Sequence, residues 1–134
     1  MSGTTALIYF AAWTLLLITI VVLYRTGLVF TGKTPANSWT RGAATASDPN
    51  LITRIQHAHL NCLENLPIFA AIVLVGVAMN KTGVVDKFAA WVLYARLAQS
   101  AVHLIGVNHW LVMIRATLYT IQALLFFYMM WLLV

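Results

Sequence analysis

The sequence predicts an all-α membrane protein, a single four-helix transmembrane bundle occupying residues 1–134. Three observations carry this. Hydrophobic residues make up 62% of the chain and charged residues only 8%, whereas a soluble domain carries about 25% charged residues. The mean hydropathy is +0.87, far outside the soluble range. The apolar residues also fall into four blocks, each meeting the ~20 residues a helix needs to cross ~30 Å of hydrocarbon. In lipid the backbone must satisfy its own hydrogen bonds, which favours helices. The alternating segments of about ten residues that mark a membrane barrel are absent.

The first span is expected over Ala6–Tyr24, which holds no charge. Met1-Ser-Gly-Thr-Thr lacks a basic leader and the apolar run exceeds a signal core, so a retained helix is expected rather than a cleaved signal. A long polar connection rich in Gly and Pro follows over residues 25–54. The second span, Ile55–Met79, opens on a polar cluster. A short Gly-centred turn leads to the third span, Phe88–Val107, interrupted by Arg96. His109 falls in the last, very short turn, and the fourth span is Trp110–Val134, with Arg115 near its start. Four spans put both termini on one side. The first connection and its flanks carry Arg25, Lys33, Arg41 and Arg54, against Lys81 and Lys87 on the other side. The positive-inside rule therefore places the first connection in the cytoplasm and the termini opposite, in the inner membrane for a bacterial host.

The net charge of +5 is mostly this topological signal, with room for anionic ligands or lipid headgroups. The basic residues sit scattered at helix ends, so no nucleic-acid partner is expected. The single Cys62 excludes an internal disulfide and reads as a small packing residue.

The chemistry concentrates in three polar stripes. At 100° per residue, Arg54, His57, Asn61, Glu64 and Asn65 share one face of the second span within about 100°, while His59 points away. Arg96, Gln99, Ser100 and His103 form a similar face on the third. Arg115, Tyr119 and Gln122 align on the fourth. A lone stripe is explained by snorkelling arginines and by polar side chains that bond helices together. Three stripes at similar depth, all toward the cytoplasmic end, point instead to a polar pocket. Glu64 is the only acidic residue inside an apolar segment, and a carboxylate there costs roughly 3 kcal/mol, which marks a functional position. Cations, amides, a phenol and one carboxylate suit a net-anionic ligand with an amino group, such as an amino acid or peptide.

His57-Ala-His59-Leu-Asn61-Cys-Leu-Glu64-Asn65-Leu-Pro67-Ile-Phe69 resembles the second-helix signature of the MAPEG family, the membrane-associated proteins of eicosanoid and glutathione metabolism. Ala95-Arg96-Leu97 resembles its third-helix Ala-Arg motif, and Arg115 followed by Tyr119 resembles the start of its fourth helix. The similarity covers nearly the whole chain; the second-helix motif is the specific part. The resemblance implies a homotrimer binding glutathione between subunits, as co-substrate of a detoxifying transferase or peroxidase. It implies that Arg54, Asn61 and Glu64 hold the glutathione backbone, with Glu64 on its amino group. Arg115 would face the thiol as the catalytic residue and Tyr119 would line the same site. Gln99 and His103 occupy third-helix contact positions, and Arg25 would reach the ligand from the end of the first helix. The second substrate would be lipophilic and arrive through the lipid.

The chain departs from the family pattern at His57, where an Arg is usual, and at His103, where some relatives have Tyr. Ala116 stands where some synthases carry a Ser beside the catalytic Arg, which points away from their isomerase chemistry. Alternatives are a non-catalytic family member and a small multidrug or metabolite transporter. The transporter would want its carboxylate at the bilayer midplane, whereas Glu64 is expected about a third of the way in. A bis-His haem site at His57 and His103 leaves Asn61 and Glu64 unexplained, and His57-x-His59 points to two helix faces. No metal or haem is therefore expected.

Overall fold

The computed structural model describes all 134 residues. It is all-helical, with α1 (Gly3–Phe30), a short 3-10 turn (Ala36–Trp39), α2 (Asn50–Ala78), α3 (Thr82–Ile105) and α4 (His109–Leu133). All four α-helices are long and apolar enough to cross a membrane. Trp110 and Trp131 stand 75% and 72% exposed near the two ends of α4. Their 21-residue separation corresponds to about 32 Å of helix, close to the hydrocarbon thickness that interfacial tryptophans flank.

The helices overrun the spans that hydropathy marks. α1 continues through Arg25 to Phe30, and α2 begins at Asn50, so the connection expected over 25–54 contracts to residues 31–49. Hydropathy reports where lipid ends; helix ends follow backbone hydrogen bonding. Gly32, at φ +73°, ends α1: its N–H donates to the Val29 carbonyl and the Lys33 N–H to the Leu28 carbonyl. This is a Schellman cap, whose left-handed position favours Gly. Asn80, at φ 57°, closes α2 in the same way. α3 begins at Thr82 rather than near Phe88. His109 is the first residue of α4, not the middle of the turn, because the Asn108 side chain accepts the Leu111 N–H and starts the helix there.

α1 packs on α2 and α3, and α4 packs chiefly on α3. The core centres on Phe69 of α2, whose ring lies 5.8 Å from Phe10 of α1 and 5.9 Å from Phe126 of α4. Gly76 allows the end of α2 to meet α3, since a Cβ there would lie 2.6 Å from a Val85 methyl carbon.

Two polar contacts bring both termini and the α2–α3 turn to one end of the bundle. Asp86 accepts the Gly3 N–H at 2.6 Å, placing a carboxylate at the N-terminus of α1. The Lys81 ammonium donates to the Leu133 carbonyl at 2.7 Å, placing a cation at the C-terminus of α4. Substituting Asp86 with Ala removes the first contact and is expected to cost about 1 kcal/mol. Thermal unfolding in detergent measures it.

Candidate functional site

The polar cleft lies between α2, α3 and α4. Asn61, Gln99, Val112, Arg115, Ala116, Tyr119 and Thr120 line an open volume of about 290 Å³. Each helix contributes by its own spacing. Arg115 and Tyr119 are one turn apart on α4, and Asn61 comes from the α2 stripe. Gln99 of α3 is anchored from behind. Its Oε1 accepts from Gln122 Nε2 at 3.0 Å, and Gln122 Oε1 accepts from Arg96 Nε at 3.1 Å. Asn61 Nδ2 lies 3.1 Å from His103 Nδ1. The amide nitrogen is a donor, so that His nitrogen accepts and His103 is neutral in this arrangement. His57 continues the polar surface, its ring centroid 6.1 Å from that of His103.

Other residues of the three stripes are placed differently. Arg54 donates through Nε to the Leu104 carbonyl at 3.0 Å, tying α2 to the end of α3 without lining the cleft. Glu64 is exposed on the outside of the subunit. It is the fifteenth of the 29 residues of α2, whose polar first turn, Asn50–Arg54, precedes the apolar segment. Asn65 turns into the core. His59 accounts for itself structurally, with Nδ1 donating to the Thr14 carbonyl at 2.9 Å.

Arg25 is held away from the cleft. It pairs with Asp48 at 2.6 Å, donates to Gln56 at 3.0 Å and lies 5.4 Å from the Trp39 ring centroid. The first connection folds back to supply Asp48, whose Oδ1 also accepts from the Trp39 indole at 3.0 Å. Nothing local in the sequence announces that return. Three other residues of the site area are not among the site residues expected from the sequence. Thr120 lines the cleft, yet its hydroxyl bonds back to the Ala116 carbonyl, as helical threonines commonly do. Arg96 and Gln122, both visible as stripe members, are fully buried behind the cleft instead of lining it.

Arg25–Asp48 is the subunit's ion pair. Arg115 beside the cleft and Glu64 on the outer face therefore stand without an intrasubunit counter-charge. Each is an ionisable group within a membrane-length helix, a costly placement that makes it a candidate functional residue.

The MAPEG family model matches residues 4–134. The chain belongs to the MAPEG family. It is thereby a membrane protein of the family of glutathione and eicosanoid metabolism. Comparison with curated proteins and with solved structures gives no match. Within this family chain, Asn61 of the second-helix motif and the Arg115–Tyr119 turn line the cleft, while His57 and Glu64 are exposed on α2.

Proposed function

We propose that this MAPEG protein is a glutathione transferase with capacity for lipid-hydroperoxide reduction, and that the α2–α3–α4 cleft is the thiol end of its glutathione site. The carrying observation is Arg115, set beside Asn61, Gln99 and Tyr119 in one cleft with no acidic partner in the subunit. A guanidinium so placed offers charge to an incoming anion.

The chemistry needs a thiolate. A free thiol has a pKa near 8.5, so only about 3% is ionised at pH 7. An Arg against the sulfur favours the anion, and a shift of two units requires about 2.7 kcal/mol of differential interaction. Tyr119 donates a second hydrogen bond to the developing thiolate. The thiolate then attacks an electrophilic carbon, forming the C–S bond as the leaving group departs or a conjugated carbanion is protonated. With a hydroperoxide it attacks the distal oxygen. The O–O bond breaks, the alkoxide is protonated, and a second glutathione converts the sulfenic acid to disulfide and water.

Glu64, with Arg54 and His57 on the same helix, belongs to the other end of the ligand. Its carboxylate is suited to the glutathione ammonium. In one subunit it faces outward, where lipid would surround it at a cost of roughly 3 kcal/mol. A second copy covering this face removes that cost and closes the ligand between subunits, which supports a homotrimer. A transporter would place its carboxylate near the bilayer midplane and turn it into the bundle, whereas Glu64 faces outward.

Glutathione conjugation of a lipophilic electrophile by detergent-purified protein tests the function. Product that forms only with enzyme supports it. Binding without turnover identifies a non-catalytic member, and no binding removes the proposal. The basic surplus around residues 31–49 supports a cytoplasmic first connection. With Cys62 replaced by Ala, a cysteine at Ala43 is expected to react with a membrane-impermeant maleimide in inside-out vesicles and not in intact cells. The reverse pattern inverts the orientation.

A further inference from the structure

We infer that Arg96 is a positioning residue: acting through Gln122, it locks the side-chain amide of Gln99 so that this wall of the cleft presents N–H donors to the anionic thiol end of the ligand. The inference deepens the glutathione reading and rests on it for the identity of the ligand.

The geometry runs in one direction. Arg96 is fully buried in α3, its guanidinium 5.6 Å from the Phe10 ring centroid. A guanidinium has donors and no acceptor. The atom of Gln122 that meets Arg96 Nε, at 3.1 Å, is therefore its oxygen. The NH2 group of Gln122 must point the other way, where it donates to Gln99 Oε1 at 3.0 Å and more weakly to the Leu118 carbonyl at 3.4 Å. With its oxygen engaged from behind, Gln99 turns its own NH2 outward, and Gln99 is a wall of the cleft.

The two ends of a glutamine amide have nearly the same shape, so shape alone does not decide which faces the ligand. A donor-only group at the root of the chain does decide it. Reversed, the chain would aim an oxygen at an anionic ligand in a low-dielectric site, where the repulsion is strong. This also gives the buried Arg96 a role. Its two terminal nitrogens are buried without a hydrogen-bond partner, a cost that an apolar side chain of similar size would avoid.

Asn61 spends its Nδ2 on His103 Nδ1, which leaves Oδ1 as the free acceptor. The cleft thus offers donors from Gln99 and Arg115 and an acceptor from Asn61. That pattern matches an anionic group, here the thiolate, with an amide N–H of the same ligand a few ångströms away.

The variant Gln122→Glu tests the lock while keeping the anchor. A carboxylate accepts from Arg96 with charge assistance, so the bundle should not lose thermal stability. It cannot donate to Gln99, whose NH2 must then turn inward and leave its oxygen facing the cleft. Two readouts separate the possibilities. The chain has three glutamines, Gln56, Gln99 and Gln122, so ¹⁵N-glutamine labelling resolves each side-chain NH2 by point substitution. In the wild type the Gln99 NH2 should exchange with water much faster than the buried Gln122 NH2. In Gln122→Glu the Gln99 NH2 should become at least tenfold slower. Glutathione Kd by calorimetry should rise at least tenfold, and Arg96→Lys, which keeps a donor at the root, should retain more affinity than Arg96→Met.

An unchanged Gln99 exchange rate overturns the lock, whether or not glutathione binds. A switched amide with unchanged glutathione affinity overturns its role in selecting the ligand. A switched amide in a protein that binds no glutathione leaves the lock standing and removes the glutathione reading instead.

Discussion

Substituting Arg115 with Ala is expected to lower the ionised fraction of bound glutathione at pH 7 by about 25-fold, from about three-quarters to about 3%. The first figure corresponds to a thiol pKa lowered by two units, the second to a free thiol near 8.5. The effect on rate should be smaller. A thiolate of lower pKa is a weaker nucleophile, with a Brønsted coefficient of about 0.4–0.5, so ionisation alone accounts for a rate loss of only about threefold. A larger loss would mean that Arg115 also orients the sulfur or stabilises charge in the transition state. Arg115→Lys keeps the charge without the planar fork and should fall between wild type and Ala. Ultraviolet thiolate absorbance reads the ionisation directly, and conjugation kinetics read the rate. An unchanged thiolate signal in Arg115→Ala would remove Arg115 from the mechanism.

The second large effect is expected at Glu64. Glu64→Gln keeps the shape and removes the charge. Truncating one partner of a desolvated charge pair commonly costs 2–5 kcal/mol, so glutathione Kd should rise by about 30-fold or more. The same substitution should leave thermal stability in detergent unchanged or raised, because the free subunit gives Glu64 no counter-charge and an uncompensated carboxylate in a membrane helix is destabilising. Lost affinity with retained stability identifies a ligand contact. Lost stability with unchanged affinity would make Glu64 a packing or assembly residue.

The bundle was legible in the sequence because lipid imposes one rule, uninterrupted apolar length, and four blocks obey it. The positions of Asn61, Gln99, Arg115 and Tyr119 were legible as helical faces because each stripe repeats at three or four residues. Which stripes meet was not legible, since a helical wheel carries no information about its neighbours. Arg96 and Gln122 share stripes with Gln99 and Tyr119, yet packing buries them one layer behind the cleft. Arg25 shows the same limit for a loop. Its partner Asp48 lies 23 residues later, and only the fold of residues 31–49 brings the two together. The start of α2 lies earlier than hydropathy marks it for a different reason. The polar turn Asn50–Arg54 is helical, with the Thr53 N–H donating to the Pro49 carbonyl, though its composition reads as loop.

The central claim is that the Arg115 cleft binds glutathione and ionises its thiol. The most direct measurement titrates glutathione into purified wild-type protein at pH 7 and records thiolate absorbance against free glutathione in the same buffer. The account predicts saturable binding with about three-quarters of the bound thiol ionised. Bound glutathione carrying no more thiolate than the free peptide, or no saturable binding at all, would contradict it.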